Sequence, residues 1–230
     1  PGHSRQSHPR MSSPHLEVEH ALFAAGARYV IGVDEVGRGA IAGPVWVSAG
    51  VWAPDCGPIP EGLRDSKLIP EHRRGDIAQR ADQWLLASAS GHTEASAIDS
   101  GGIMAALSSA GASAVLQAWR SVDEPISTVV LLDGNQDWLS AHLPSGLSVV
   151  TRAKADLTAA AVSAASVIAK VSRDQVMIDA DGRFPGYGFA GHKGYGSAVH
   201  REAIARLGPC PLHRVTWISS LKPQGPSGLD

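Results

Sequence analysis

Asp34 and Glu35 stand side by side where an apolar run, residues 29–33, ends. Asp133 takes the same place after "STVVLL", and Asp156 sits in "TRAKADLTAAAVSAASVIAK", ahead of a long alanine-rich stretch. If the runs ending at Asp34 and Asp133 are parallel neighbouring strands, their acids meet at one edge of a sheet. Clustered carboxylates repel one another, and burial makes the repulsion worse. A divalent cation relieves it, and oxygen donors without thiolates or paired histidines suit a hard ion, Mg²⁺ or Mn²⁺. Two such ions about 3.5–4 Å apart activate a water and stabilise the leaving oxygen in phosphodiester cleavage. Each acid taken singly also fits a plainer role, Asp133 as a turn residue before Gly134 and Asp156 as a helix cap. The adjacent pair is harder to explain in that way. Neighbouring side chains on a strand point to opposite faces, so one of the two is expected to bind metal more directly.

Gly37-Arg38-Gly39 follows at once. A dinucleotide fingerprint needs G-x-G-x-x-G, but Gly43 comes one place late, and no G-x-x-x-x-G-K-[ST] occurs. The glycines instead let backbone amides approach a ligand, with Arg38 available for a phosphate. An isolated glycine-arginine-glycine also fits a tight turn with a solvated arginine. In "GHKGYGS", residues 191–197, Tyr195 lies between two glycines beside His192 and Lys193. A ring so exposed can stack on a sugar or base, or pack on its own domain. "LRDSK", residues 63–67, brings an acid, a hydroxyl and Lys67 into one loop. None of the ten histidines forms H-E-x-x-H, which argues against a zinc protease.

The elements that must position these residues are legible in outline. Apolar and β-branched runs predict strands over 29–33, 44–52, 84–95, 128–132 and 147–151, and helical patterns cover 16–25, 70–80, 98–118, 157–177 and 197–207. Strands come first and then alternate with helices, which predicts an α/β mixed sheet flanked by helices. Residues 1–15 read as a disordered tail, a cloning remnant or an upstream extension, and 223–230 as a disordered tail. Between them, 16–222 reads as a single domain, its segment from 183 onward forming a helical C-terminal extension. With 230 residues, 43% of them hydrophobic, the chain can bury one substantial core.

The charge is unevenly spread. From Arg183 onward six Lys and Arg (Arg183, Lys193, Arg201, Arg206, Arg214, Lys222) face Glu202 and Asp230 alone, a net of +4, which leaves −6 on the rest of a chain whose total is −2. A basic end beside an acidic body suits a protein that holds cations in one place and an anionic polymer in another; uneven surface charge is the plainer reading. Two distant cysteines, Cys56 and Cys210, argue against a disulfide framework or a Cys-rich zinc site. No apolar run reaches membrane-spanning length and no signal segment opens the chain, so a reducing, cytoplasmic location is expected.

Taken in order, "IGVDEVGRGAIAGPV", "LRDSK", "LLDGN", "KADLTAAAVSAASVIAKVSRD", "YGFAGHKGYGSAVH" and "LGPCPLHR" resemble ribonuclease HII over residues 31–214. The resemblance implies a ribonuclease H-like fold with a mixed five-stranded sheet and a helical C-terminal extension. It implies a metal-dependent endonuclease, acting as a monomer on RNA in RNA/DNA hybrids and on single ribonucleotides embedded in duplex DNA. Such an enzyme cuts on the 5′ side of the ribonucleotide, leaving 3′-hydroxyl and 5′-phosphate ends. The family's four acids fall on Asp34, Glu35, Asp133 and Asp156. Its glycine-arginine-glycine reader falls on Gly37, Arg38 and Gly39, and its substrate-sensing tyrosine on Tyr195. Lys67, Lys193 and the C-terminal arginines would then hold phosphates. Two departures are visible: Ala155 stands where the family usually has glycine before the fourth acid, and residues 98–102 replace an asparagine-containing helix start. A catalytically silent nucleic-acid-binding module and an integrase-like strand-transfer enzyme are the competing readings. The first requires loss of an acid, and the second leaves Gly37–Gly39 and the Tyr195 loop without a task.

Overall fold

The computed structural model describes residues 13–122 and 127–219; both segments expected to be disordered tails, apart from residues 13–15, lie outside the described residues. The elements run α1 (Glu17–Ala24), β1 (Tyr29–Val36), β2 (Val45–Trp52), α2 (Glu71–Trp84), β3 (Ala87–Thr93), α3 (Ala95–Gly101) and α4 (Ile103–Arg120). Then follow β4 (Thr128–Asp133), β5 (Leu147–Arg152), α5 (Ala155–Thr158), α6 (Ala160–Arg183), α7 (Phe189–His192), α8 (Ala198–Leu207) and α9 (Val215–Ile218).

The five strands lie in the order β3-β2-β1-β4-β5. β1–β2 and β2–β3 are antiparallel, whereas β1–β4 and β4–β5 are parallel, giving the mixed sheet expected. Val33 pairs with Leu132 across the central parallel pair, so Asp34 and Asp133 emerge together at one edge. Side-chain alternation then sorts the faces. Ile31, Val33, Val130 and Leu132 pack with Leu107 and Val115 of α4. Val30 and Leu131 pack on the other face with Ile77 of α2 and Ala161, Val162 and Ala164 of α6. Fully burying each such Leu, Ile or Val contributes ~1.5–3 kcal/mol. Asp34 and Asp133 fall in step with the α6 face, and Glu35 with the α4 face.

α6 comes unusually close to β1. A Cβ placed on Gly32 would lie 2.3 Å from the Ala161 carbonyl carbon and 2.5 Å from the Val162 nitrogen. Glycine on the strand and alanine on the helix are what let the two backbones meet. Beyond the sheet, Met177 of α6, Tyr187, Phe189, Ile204 and Ile218 form a separate cluster with Ile41. It anchors the C-terminal extension to the loop after β1.

Several boundaries differ from the sequence expectations. α2 continues past residue 80 to Trp84, because Ile77, Ala78, Ala81 and Trp84 form one buried stripe at helical spacing, and the following strand starts only at Ala87. The helix expected over 98–118 is two, α3 and α4, broken where Gly102 takes φ 81°. The helix expected over 157–177 is also two, α5 and α6, divided at the extended residue Ala159. That break explains His15, which the sequence placed in the tail. The His15 N–H donates to the Thr158 carbonyl at 3.0 Å, and its own carbonyl accepts from Ala160 N–H at 3.1 Å. The backbone groups freed at the break are thereby satisfied.

Candidate active site

β1 runs on through Val36, so Asp34 and Glu35 lie inside the strand, near its end. With Val36 to Gly39 they form one wall of a cavity of about 400 Å³; Ser66, Lys67, Ser166, Lys170 and Tyr195 form the other. Asp34 is 8% exposed and its Oδ1 accepts the Glu35 N–H at 2.8 Å. Burial raises its carboxyl well above the ordinary range, and the charges of Glu35, Asp133 and Asp156 add to the rise against the Ser166 hydroxyl, which opposes it. Glu35 is raised by burial and Asp133, with Arg38 opposing; the Arg38 guanidinium is 3.8 Å away.

Asp133 and Asp156 arrive from two other elements. Asp133 ends β4, and its Oδ1 accepts the Ala155 N–H at 2.7 Å and the Asp156 N–H at 3.4 Å. The carboxylate thus caps the free amides of α5 and holds Asp156 beside it. Asp156 is buried and raised by that burial, by Asp133 and by Asp65, with Lys67 opposing. Lys67 reaches it at 3.8 Å. Burial alone would lower the lysine, but Asp65, Asp156, Asp34 and Asp133 together raise it. Among the described residues no three Asp, Glu, His or Cys side chains converge on a common ion position. The four carboxylates instead stand within Coulombic reach of one another. An all-oxygen set of mutually repelling acids fits hard divalent ions, whose charge would offset the repulsion and let the carboxylates close in.

Beyond the acids, the wall they share is built around Gly37. Its φ of 81° needs glycine, and a Cβ there would lie 2.1 Å from Arg173 Nε. Its N–H donates to the Tyr195 hydroxyl at 3.2 Å. Gly39 is different: a Cβ there would meet nothing within 4 Å, so the protein's own packing does not require the glycine. Arg38 remains part-exposed, its Nη2 3.4 Å from the Gln136 side-chain oxygen. Tyr195 is 38% exposed, and the Arg173 guanidinium lies 5.4 Å from its ring centre. Four acids from three elements therefore stand beside a glycine-rich turn and an accessible aromatic ring.

The sequence model of the family described as Ribonuclease HII matches residues 31–220. The chain belongs to the ribonuclease HII family. Ribonuclease HII of Streptomyces avermitilis is 42% identical over 210 residues, covering 89% of this chain and 83% of the relative. Among solved structures, ribonuclease H2 from Pyrococcus horikoshii superposes with a TM-score of 0.62 at 23% identity, over 84% of this chain and 97% of that one. A Bst ribonuclease HIII in complex with Mn²⁺ gives 0.59 at 20% identity, over 84% of this chain and 65% of that one. These likenesses show the ribonuclease H-like fold. As a ribonuclease HII the chain is an endoribonuclease, a hydrolase acting on RNA in RNA/DNA hybrids. None of the described helices is long and apolar enough to cross a membrane.

Within this ribonuclease HII, two basic residues sit elsewhere than the sequence suggested. Lys193 is 7% exposed, and its ammonium is taken up by Glu71, at 3.2 Å, and the Ala190 carbonyl. Arg214 is fully buried. Its guanidinium donates to the carbonyls of Gly37 at 2.7 Å, Arg38 at 2.9 Å and Gly43 at 3.1 Å. Neither presents a free charge to solvent; Arg214 braces the turn from Gly37 to Gly43. Sequence reasoning missed its partner, Arg173, also fully buried, which donates to Pro44 at 2.8 Å, Ala42 at 3.1 Å and Lys193 at 2.9 Å. The signal was present: Arg173 is four residues from both Ala169 and Met177, on the buried stripe of α6. Burial lowers both guanidiniums, and that of Arg214, with Arg173 nearby, to about 10, so both stay charged at neutral pH. Lys170, also missed, lines the cavity and pairs with Asp174 at 2.6 Å.

Proposed function

We propose that this ribonuclease HII nicks duplex DNA on the 5′ side of a single embedded ribonucleotide, as in ribonucleotide repair and primer removal, besides hydrolysing hybrids. The observation that supports it is the shared cavity: the acids of β1 lie on the same strand-to-turn segment as Gly37, Arg38 and Gly39, with Tyr195 opposite. Asp34, Glu35, Asp133 and Asp156 would hold Mg²⁺ or Mn²⁺, the latter being the ion bound to the ribonuclease HIII neighbour. When bound, two such ions supply an activated water and stabilise the departing oxygen. The water oxygen would bond to phosphorus as the P–O3′ bond breaks, and the departing O3′ would take up a proton, giving 3′-hydroxyl and 5′-phosphate ends.

The chain's own groups decide where this happens. The 2′-hydroxyl distinguishes a ribonucleotide from its neighbours. The backbone of Gly37, Arg38 and Gly39 is held rigid from behind by Arg214 and offers its polar groups to that hydroxyl. Tyr195 packs against the next sugar, and a second ribose there would press its hydroxyl on the ring, which favours RNA-to-DNA junctions. Arg38 and Lys67, both exposed beside the acids, meet phosphates. Duplex DNA carrying one ribonucleotide, incubated with and without divalent ion, is expected to be nicked 5′ to that ribonucleotide only with the ion. No nick with either Mg²⁺ or Mn²⁺ would sink the proposal.

Two substitutions separate recognition from folding. Gly39→Ala is expected to leave the melting temperature nearly unchanged and to weaken cleavage, because the new methyl enters space left for substrate. Gly37→Ala should lower stability by ~1–3 kcal/mol, through its positive φ and its clash with Arg173. Thermal melts beside cleavage assays check both, and equal loss of stability in the two variants contradicts the assignment. Tyr195→Ala should cost about 1–3 kcal/mol of substrate stacking. That is about 5- to 150-fold in kcat/KM on the single-ribonucleotide duplex, and an unchanged rate and junction preference rejects its role.

A further inference from the structure

We propose that His200 and His213 are positioning residues, a one-directional relay of hydrogen bonds that ends on the Tyr195 carbonyl and sets the Tyr195 ring for the sugar it meets. The proposal rests on the reading of Tyr195 given above. Tyr195 needs such support. It follows Lys193 and Gly194, at φ 52° and 85°, and precedes Gly196, so in a permissive stretch its backbone is held locally by two bonds, its N–H to the His192 carbonyl at 3.0 Å and the Ser197 N–H to its own carbonyl at 2.9 Å.

The partners of each ring dictate where its proton sits. The Cys210 amide can only donate, and it lies 2.8 Å from His213 Nδ1. That nitrogen is therefore bare, and the His213 proton is on Nε2. The Cys210 carbonyl, 3.2 Å from the same Nδ1, does not alter this, because the lone pair is already claimed. His213 Nε2 is 3.1 Å from His200 Nε2. One must donate, and His213 carries the proton, so His200 Nε2 accepts. The His200 proton is then on Nδ1, 2.8 Å from the Tyr195 carbonyl oxygen, which can only accept. The chain closes from backbone donor through two rings to backbone acceptor. His192, stacked on His200 with centroids 4.0 Å apart, ties down the preceding residue. Its Nδ1 accepts the Gly194 N–H at 3.1 Å, and its Nε2 donates to the Tyr187 carbonyl at 2.8 Å.

Nothing nearby welcomes an extra proton. His200 and His213 are 0% and 2% exposed. Phe189 and Tyr187 pack on them. Burial lowers both rings, that of His200 to about 4. The Tyr195 carbonyl opposes the shift in His200, while His192, His213 and Arg201 reinforce it. The Cys210 backbone opposes the shift in His213 and His192 reinforces it. Burial pushes the Cys210 thiol and the Tyr187 hydroxyl up, so both remain neutral. No carboxylate acts on either ring among these groups. A second proton on His200 would sit on Nε2 and set N–H against N–H across the 3.1 Å gap, and one on His213 would sit on Nδ1 and face the Cys210 N–H at 2.8 Å.

A long-range ¹H–¹⁵N spectrum of the imidazoles in the full chain tests the assignment. The expected result at neutral pH is His200 protonated on Nδ1, His192 and His213 on Nε2, with His200 uncharged well below pH 6. His200 protonated on Nε2, or charged at pH 6, would overturn it. His200→Phe keeps the ring's bulk without a donor, whereas His200→Asn returns an N–H near the position of Nδ1. On duplex DNA with one ribonucleotide, His200→Phe should lose about three- to tenfold in kcat/KM, chiefly through KM, and His200→Asn should recover most of it. Equal KM values in folded samples of all three proteins contradict the relay. In the Tyr195→Ala background His200→Phe should add no further loss; a full additional loss shows that His200 does not act through Tyr195. Unchanged cleavage by Tyr195→Ala alone would remove the recognition reading, and the relay's purpose with it, whereas wrong tautomers would remove the relay and leave that reading standing.

Discussion

Asp34→Asn is expected to reduce hybrid cleavage by about 10³-fold or more and, at the same time, to make the fold more stable. The first effect follows from losing a charged ligand at the centre of the acid cluster, where several kcal/mol of charge stabilisation act on the reaction. The second follows from the direction in which the carboxyls are shifted. Burial and its acidic neighbours raise Asp34, and burial raises Glu35 and Asp156 likewise. A carboxyl raised in the folded state costs stability that grows as pH rises past its ordinary unfolded value and is fully present above the raised one, because the unfolded chain ionises more easily. Asparagine can still accept the Glu35 N–H, now without the buried charge. The gain should be about 1 kcal/mol at neutral pH, or ~2–4 °C in melting temperature, with chelator present. It should shrink as pH falls into the ordinary carboxylate range, where Asp34 is neutral anyway. Divalent ion should raise the melting temperature of the unaltered protein more than that of the variant. Melts at two pH values with and without Mg²⁺ check these statements. A destabilised Asp34→Asn that still responds fully to ion contradicts the reading of the site.

Gly32→Ala carries the largest expected loss of stability. The added methyl would stand 2.3 Å from the Ala161 carbonyl carbon, and neither backbone can turn away as a side chain could. Relief requires α6 to lift from β1. Overpacking of this kind costs about 3 kcal/mol, which in a chain of this size lowers the melting temperature by ~6–12 °C. Activity should fall as well, even well below the melting temperature. α6 carries Ser166 against Asp34, and Ala160 at its start closes on His15 beside α5, where Asp156 sits. Gly75→Ala is the control, since a Cβ at Gly75 of α2 meets nothing within 4 Å. It should raise stability by up to ~1 kcal/mol through helix propensity. Comparable melts for the two alanine variants would show that the close approach of α6 is not as described.

Much of the architecture was legible because burial writes itself into local pattern. The strands 128–132 and 147–151 are short β-branched runs, and their structural counterparts differ only at their C-terminal ends. Places where two elements compete were not legible. The sequence starts the third strand at Trp84, yet Trp84 completes the helical stripe of α2 against α6. Ala159 gives no sign of a break; the break becomes visible only when His15, far away in sequence, supplies the hydrogen bonds that stabilise it. Among the site residues, the acids and the Gly37–Gly39 turn could be named from their order along the chain. Of the basic residues named from sequence, Arg38 and Lys67 do line the cavity but Lys193 and Arg214 do not, because a charge left free in a cavity and one that serves a buried carbonyl look alike in sequence. Lys193 and Arg214 illustrate the difference, the one closed by Glu71 and the other by three backbone carbonyls.

By itself the sequence determined the chemistry on offer: four acids without thiolates, a glycine-flanked arginine three residues past the adjacent pair, and a tyrosine between glycines. These are properties of residue type and spacing, and they survive any arrangement of the chain. Only the tertiary structure decided which groups act on which. The parallel register of β1 and β4 brings Asp34 and Asp133 to one edge, and Asp133 then holds Asp156 through the amides of α5. Burial decided that Arg214 braces the Gly37–Gly39 turn and Arg173 the carbonyls of Ala42, Pro44 and Lys193, and that His200 and His213 stay neutral behind Tyr195. Desolvation and hydrogen-bond partners set the charge and direction of a group, and both belong to neighbours distant in sequence.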